Sequence, residues 1–141
     1  MLSISYIFLF CFFFYIIHVN FAKQNNNEIM KTEFNSFKEF YPFYLSEHAD
    51  PVCRGLHFVG TALLFVVLYY AITLNGWLAF LIPVIGYGFA WTGHFFFEKN
   101  KPATFQHPWY SLVGDFVMFY HILTFQINKK MKESIALFPK S

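Results

Sequence analysis

Histidine and acidic residues stand at both ends of a long uncharged stretch in this 141-residue chain. His94 and Glu98 lie four residues apart where the stretch ends, in the sequence WTGHFFFEKNKPATF. A spacing of four residues places two side chains on one face of a helix. Neutral imidazoles together with carboxylates are ligands that zinc and non-haem iron take in proteins. The pair therefore indicates either part of a metal site or simply the polar end of an apolar helix.

The uncharged stretch predicts the elements that must position these residues. Residues 55–97 contain no Asp, Glu, Lys or Arg, and the whole chain is 57% hydrophobic and 24% aromatic. A soluble domain of this length could not bury so much apolar surface. The stretch is long enough for two spans of roughly 20 residues each. We expect an all-α, small polytopic membrane protein with three to four hydrophobic helical segments, in a bacterial inner membrane or in the endoplasmic reticulum.

The expected spans have recognisable boundaries. Two signals mark the start of a first span over residues 51–74. Asp50 can cap the helix with its side chain, and the proline that follows it suits the first helical position. Asn75-Gly76 predicts a tight turn. The second span then covers residues 77–97, and a third candidate covers residues 109–127. The first two spans are therefore expected to form a hairpin.

The two ends of the chain are set apart from this membrane-embedded part. Residues 1–29 are predicted to be a hydrophobic extension: a signal-anchor helix, a cleaved signal or residues upstream of a working start at Met30. Residues 30–128 are expected to form the membrane-embedded domain, and residues 129–141 a basic tail. Within the domain, the aromatic stretch FNSFKEFYPFYL predicts a short helix on the membrane surface, broken at Pro42.

The predicted hairpin brings several polar groups to one level, whichever way it is oriented. The start of the first span and the end of the second share one membrane face, and the third segment begins there. At about 1.5 Å per helical residue, His57 and Asp115 lie roughly 9 Å inside their span starts, and His94 roughly 6 to 8 Å inside its exit. His48 and Glu98 lie just above them. Ionisable groups at such depth are costly and by default indicate a functional site.

The other histidines, basic residues and cysteines have plainer interpretations. His107 and His121 are predicted to hydrogen-bond neighbouring helices. Cys11 and Cys53 belong to no metal-binding motif. The net charge of +2 is too small to indicate a nucleic-acid partner. Basic residues at the span ends are either interfacial anchors or a rim that holds an acidic headgroup: Arg54, Lys99 and Lys101.

Three blocks of the sequence, FYLSEHADPVCRGLHFVGT, WTGHFFFEKNKPATF and PWYSLVGDFVM, resemble the 2-hydroxy fatty acid dioxygenase family in composition and order. Its characterised eukaryotic members act in phytosphingosine breakdown. The resemblance covers roughly residues 34–127. It implies iron(II)-dependent, O₂-using α-oxidation of a long-chain 2-hydroxy fatty acid, which is shortened by one carbon in fatty acid and sphingolipid metabolism. The partners it implies are that acid, O₂ and a lipid bilayer, with no nucleic acid.

Carried over position by position, the resemblance also implies site residues. Iron(II) would be held by His48, His57 and His94, with Glu98 or Asp115 completing or orienting the set. The acid's carboxylate would be received by basic residues at the rim. The residues expected to have catalytic roles are Glu47, Arg54, Glu98, Lys99 and Asp115. His107 and His121 fall outside the motif positions, in agreement with their plainer interpretation.

Other classes of function fit the same residues. A non-enzymatic membrane scaffold or lipid-binding protein would use its polar groups only to lock helices together, and it would hold no metal. A zinc-dependent membrane hydrolase would use similar ligands, and metal analysis would distinguish it from an iron enzyme. A membrane di-iron hydroxylase or desaturase needs many more histidines than the six present here.

Overall fold

The described part of the computed structural model, residues 34–139, is all-helical and contains no β-strand. This confirms the all-α part of the predicted fold class; residues 1–29, predicted to be a hydrophobic extension, lie outside the described range. The α-helices in chain order are α1 (Phe37–Ser46), α2 (Pro51–Thr73), α3 (Leu81–Thr92), α4 (Pro108–Leu123) and α5 (Ile127–Leu137). Helix α3 is extended at its start by a 3₁₀ turn, Gly76–Phe80, and at its end by a π turn, Gly93–Glu98.

Helix α2 and the continuous segment Gly76–Glu98 form the apolar hairpin that the uncharged stretch predicts. The Asp50 side chain caps α2 by accepting the N–H groups of Val52 (2.7 Å) and Cys53 (3.1 Å). At the hairpin tip, the Asn75 side chain accepts the Trp77 N–H at 3.0 Å. Each arm has 23 residues, with mean hydropathies of 1.9 and 1.3, and is long and apolar enough to cross a membrane.

The third span, expected over residues 109–127, is replaced by two shorter helices. Helix α4 has 16 residues and ends at Leu123. Phe125 then adopts the left-handed backbone conformation, with φ of 58°, and α5 begins two residues later. About 20 helical residues are needed to cross a membrane. Two helices within residues 34–139 are thus long and apolar enough to cross a membrane, whereas three to four such segments were expected. The beginning of the predicted basic tail is helical.

The buried hydrophobic core of the described residues lies around α1 rather than in the hairpin. The predicted break at Pro42 is wrong, because helix α1 continues through this residue. The helix packs against α4 and α5. The predicted helical spacing of its aromatic residues is confirmed, and their buried side contacts other helices. Each fully buried large apolar side chain contributes about 1.5–3 kcal/mol. The core consists of Phe40, Tyr41, Tyr44, Leu45, Ala103, Met118 and Met131.

Glycines allow the hairpin arms to approach closely. A Cβ added to Gly60 would lie 2.9 Å from Cβ of Phe89, and one added to Gly93 would lie 2.9 Å from Sγ of Cys53. Both separations are shorter than real Cβ atoms allow. Gly93 thus lets the end of the second arm lie directly on the start of the first, which is where the predicted site residues are found.

Candidate metal centre

Three histidines and one cysteine meet where the hairpin arms begin and end. His48 comes from the loop between α1 and α2, Cys53 and His57 from α2, and His94 from the π turn. All four side chains are at least 94% buried. The imidazole centroids are 4.5 Å apart for His48 and His57, 4.6 Å for His48 and His94, and 5.2 Å for His57 and His94. The three histidines predicted to share one level are therefore brought together.

The size of this cluster suits a single metal ion. One ligand atom from each of the four residues lies within 4.8 Å of the others. A sulfur and a nitrogen that bind one zinc ion at their usual bond lengths can be at most about 4.4 Å apart. Small side-chain adjustments are enough to close that difference. His48, Cys53, His57 and His94 can therefore hold a metal ion.

Hydrogen bonds of His48 and His57 determine which ring nitrogen faces the cluster. Nδ1 of His48 lies 2.6 Å from the carbonyl oxygen of Tyr44, and Nδ1 of His57 lies 2.7 Å from Oδ1 of Asp115. A carbonyl and an ionised carboxylate only accept hydrogen bonds, so each Nδ1 carries the proton and donates it. In a neutral ring, Nε2 then has its lone pair available for a metal ion.

His94 is oriented in the same way by a side-chain amide. Its Nδ1 lies 2.8 Å from Oδ1 of Asn100. The Asn100 amide nitrogen donates to the carbonyl oxygen and to the carboxylate of Glu47, each at 2.9 Å, which leaves Oδ1 to accept from His94. All three histidines thus use Nδ1 for an outer hydrogen bond, an arrangement typical of metal-ligating histidines.

A buried nitrogen provides a second test of whether the residues fit a metal ion. Nε2 of His57 is inaccessible to solvent and has no hydrogen-bond partner within residues 34–139. A buried polar atom without a partner costs about 1–3 kcal/mol. A metal ion bound between the three imidazoles would satisfy this nitrogen, so the donor set and its surroundings fit the group that the sequence predicts.

Asp115 supports the centre from α4 without lying in the ligand cluster. Its Oδ1 accepts hydrogen bonds from Nδ1 of His57 and from the hydroxyl of Tyr44. Complete burial raises the pKa of the Tyr44 phenol well above its ordinary value, and the charge of Asp115 raises it further. Tyr44 therefore remains a donor. The carboxylate is held by two donors and in turn holds the His57 ring.

The Glu98 carboxylate holds the loop that carries His48. Its two oxygens accept the backbone N–H groups of Ala49 (3.1 Å) and Asp50 (2.7 Å). The cluster of candidate ligand atoms contains Cys53 and not Glu98. Glu98 lies close enough to shape the site, while its role as a metal ligand stays a prediction.

Lys99 and Asn100 explain why the chain turns sharply after Glu98. Lys99 adopts the left-handed conformation (φ 57°, ψ 35°), and its N–H bonds the carbonyl of His94 to close the π turn. The reversal brings Asn100 back to the His94 ring. The Lys99 side chain itself is exposed. Each residue of the Glu-Lys-Asn motif thus has its own structural role. Glu98 holds the loop that carries His48, Lys99 reverses the backbone, and the Asn100 amide orients the His94 ring.

The predicted basic rim is only partly assembled. Nη1 of Arg54 donates to the carbonyl oxygens of His48 (2.8 Å) and Ala49 (2.7 Å), so this nitrogen stabilises the same loop as Glu98. Lys99 is exposed and Lys101 is half-buried. None of the three basic side chains lines the cavity beside the cluster. Their role in receiving a carboxylate stays a prediction.

A cavity of about 210 Å³ adjoins the cluster between α2, α3 and α4. His57 and Asp115 line its polar part together with Thr61 and Thr104. Further along the hairpin the lining is apolar and includes Leu64, Ile82, Pro83 and Gly86. The arrangement provides a metal-binding group at one end of a space that suits an apolar chain.

Sequence reasoning missed Cys53 and Tyr44, although a spacing signal was present for both. Cys53 precedes His57 by four residues on α2, and Tyr44 precedes His48 by four residues. The remaining described histidines lie outside the cluster, as predicted. His121 is hydrogen-bonded through Nδ1 to the hydroxyl of Tyr41 at 2.7 Å, and His107 packs against aromatic rings.

Comparison with known proteins gives the family directly. No curated protein and no solved structure matches the chain. One family model, described as 2-hydroxy-palmitic acid dioxygenase Mpo1-like, matches residues 34–127, the same range over which the sequence blocks resemble 2-hydroxy fatty acid dioxygenases. The matched range contains every residue of the candidate metal centre and of the adjoining cavity. The chain belongs to the Mpo1-like family of 2-hydroxy-palmitic acid dioxygenases.

Proposed function

We propose that the protein is an iron(II)-dependent dioxygenase that shortens long-chain 2-hydroxy fatty acids by one carbon. The observation that carries the proposal is the convergence of three buried imidazoles, each hydrogen-bonded outward through Nδ1. Nitrogen ligands of this kind suit non-haem iron. The family match supplies the substrate class.

The proposed reaction balances without an external reductant. A 2-hydroxy acid and O₂ give the acid one carbon shorter, CO₂ and water. The bond between the carboxyl carbon and the hydroxyl-bearing carbon breaks, and the latter becomes the new carboxyl carbon. Four electrons leave these two carbons, and O₂ accepts all four. The reaction thus needs only the metal ion as a cofactor.

The chain's own residues have distinct roles in this proposal. Nε2 of His48, His57 and His94 would hold the ion, which supplies O₂ activation and binds the substrate's oxygen atoms when present. Asp115 and Asn100 keep the ring protons on Nδ1 and the rings in place. Burial of the whole cluster excludes bulk water from the reacting groups.

We also propose that the hairpin is embedded in a membrane. Its outward side chains are large and apolar, including Phe65, Val66 and Ile72 on α2, the last 76% exposed. Contiguous apolar surface of this kind marks a membrane or protein contact. Trp77 at the tip and Trp109 near the metal centre are 74% and 78% exposed, and such aromatic residues suit the two membrane interfaces.

Cys53 favours one competing function, a zinc-dependent membrane hydrolase. Three histidines and a cysteine make a ligand set typical of zinc. If Cys53 binds the ion, the set of four protein ligands is complete and fewer positions remain for substrate. If it does not, three imidazoles leave positions open, as an oxygenase requires.

The test is to purify the full chain in phosphatidylcholine nanodiscs, measure bound iron and zinc, and follow conversion of 2-hydroxypalmitic acid under air. We expect iron near one equivalent and release of pentadecanoic acid and CO₂. The His57→Ala and His94→Ala proteins should lose both metal and turnover, whereas His107→Ala, a histidine outside the cluster, should keep both.

The outcome for Cys53 distinguishes the competing functions. In the Cys53→Ala protein, retained iron and turnover would support the dioxygenase. Zinc in the wild-type protein, lost on this substitution, would favour the hydrolase. Wild-type protein that reaches its folded state without any metal, and has no turnover when iron is supplied, would instead favour a membrane scaffold.

A further inference from the structure

The cavity beside the metal centre is an elongated cleft between two facing helical stripes. Ile82, Gly86 and Ala90 line it from α3 at intervals of four residues. Pro108, Leu112 and Phe116 line it from α4 at the same interval. Residues four apart lie on one helical face. The two stripes therefore form opposite walls, and α2, which packs against both helices, forms the floor.

Polarity changes along this cleft in one direction. Near the metal centre it is lined by His57, Thr61 and Asp115, which offer nitrogen and oxygen atoms. Toward the hairpin tip it is lined by Leu64, Ile82 and other apolar groups. Ligand pockets combine an apolar lining with a few placed polar groups that fix orientation. An amphiphile with an oxygen-rich head and a long apolar tail fits this order.

The cleft reaches the protein surface between α3 and α4. Side chains that line it are exposed there: Tyr87 by 47%, Leu112 by 46% and Phe116 by 39%. In the proposed membrane placement, this side of α3 and α4 faces the hydrocarbon core. A lipid-derived acid can then enter sideways without passing its tail through water, where apolar surface is unfavourable by about 25 cal/mol per Å².

We propose that the cleft is a lateral entry and acyl-chain site for the substrate, and that Gly86 sets how long a chain it accepts. This rests on the proposed function for the identity of the head group. The acid's carboxylate and hydroxyl lie beside His57, and its tail lies between α3 and α4 toward the tip. His57 lines both the cleft and the metal cluster, so a chain seated there has its head at the reacting end.

Gly86 lines the apolar half of the cleft opposite Leu64. A Cβ built there would lie 3.6 and 3.7 Å from the two methyl carbons of Leu64, which is ordinary contact. The backbone therefore accepts a side chain at this position, and a large one would obstruct the middle of the cleft, before the part lined by Ile82. Gly88 offers a matched control, because it is exposed and a Cβ there meets nothing within 4 Å.

The experiment uses 2-hydroxypalmitic acid with a diazirine near its methyl end, photolysed with the full chain in phosphatidylcholine nanodiscs. Labelled peptides are identified by mass spectrometry, with unlabelled 2-hydroxypalmitic acid as competitor. We expect competed labelling of α3 and α4 residues that line the cleft. The Gly86→Leu protein should label less, while the Gly88→Leu protein should label like wild type. Labelling confined to the outer face of α2, or unaffected by Gly86→Leu, would overturn the proposal.

Turnover provides the second readout. The ratio of kcat/KM for 2-hydroxypalmitic acid to that for 2-hydroxydecanoic acid should fall at least about tenfold in Gly86→Leu, the scale at which apolar pockets discriminate chain size. Gly88→Leu should keep the wild-type ratio. Cleft labelling without any turnover would uphold the binding site while refuting the proposed reaction. Turnover with an unchanged ratio in Gly86→Leu would refute the chain-length role and leave the reaction standing.

Discussion

The two ends of the α2–α3 hairpin differ sharply in what they bury. At the metal-centre end, His48, His57 and His94 are buried and hydrogen-bonded through Nδ1. At the tip, large apolar side chains are exposed, with Leu74 at 73% and Trp77 at 74%. A soluble protein places polar groups outward and apolar groups inward. The hairpin does the reverse, which is the arrangement that a lipid environment stabilises.

This difference determines where substitutions should matter. Buried polar groups are costly unless each finds a partner, so the metal-centre end depends on specific contacts. Large side chains at the tip, such as Leu74 and Trp77, are mostly exposed and so have little internal packing to lose. Substitutions at the metal-centre end should alter both metal binding and stability. Substitutions at the tip should have little effect on metal binding or on stability.

The largest effect is expected for Asp115→Leu. Leucine has the same branched arrangement of heavy atoms as aspartate but cannot accept a hydrogen bond. Nδ1 of His57 would lose its acceptor at 2.7 Å, and the hydroxyl of Tyr44 would lose the same partner. Loss of such an outer-sphere contact weakens metal binding about 10- to 100-fold. Competition with a chelator measures the affinity. Val113→Leu, on the exposed part of α4, is the control, and equal affinity in both proteins would contradict the role of Asp115.

Gly93→Ala is expected to disturb the same end through packing alone. The added Cβ would lie 2.9 Å from Sγ and 3.3 Å from Cα of Cys53, so the two arms must separate. Overpacking of this kind costs about 1–3 kcal/mol. The midpoint of thermal unfolding in nanodiscs should fall, and bound iron should fall with it. Gly88→Ala should leave both unchanged, because a Cβ there has open space. A rise in midpoint for Gly93→Ala would show that the close approach is dispensable.

Glu98→Gln distinguishes a loop clamp from a metal ligand. A glutamine oxygen can still accept the N–H of Ala49 or Asp50, but its amide group opposes the other N–H. We expect a loss of about 1–2 kcal/mol in the free energy of unfolding, as for a weakened bond to a charged group. Iron content at saturating metal should stay near that of wild type. Iron content that drops as far as in His94→Ala would instead establish Glu98 as a ligand.

The smallest effect is expected at the tip. Asn75→Ala removes the side-chain cap that accepts the Trp77 N–H at 3.0 Å. Loss of such a cap costs about 0.5–2 kcal/mol, and the lower end applies at an exposed turn. Asn75→Asp, which keeps an acceptor, should restore the unfolding midpoint. Metal affinity should be unchanged in both proteins. A change in affinity would mean that the tip and the metal centre are coupled and do not differ in the way proposed.

Much of the hairpin could be predicted because its signals are local. Asp50 and the proline after it mark the start of α2, and the Asn75 turn follows from residue type alone. The similar depth of His48, His57 and His94 relative to the span ends follows from the rise per helical residue and from the hairpin connection. The position of Glu98 relative to His94 was harder to predict. A spacing of four residues places two side chains on one face of an α-helix, whereas His94 and Glu98 belong to a π turn. That turn ends at a left-handed Lys99, which residue type does not indicate.

The sequence by itself therefore determined the helical class, the apolar hairpin and the candidate histidines, since these follow from hydropathy, capping residues and rise per residue. Tertiary structure decided the rest: Cys53 as a cluster member, the packing of α5 on α1, the role of Asn100 and the cleft toward the tip. These depend on side chains that meet across helices, such as Tyr44 and Asp115, which are 71 residues apart. Local sequence patterns do not indicate which faces of distant helices pack together. Those contacts depend on the tertiary packing of the helices.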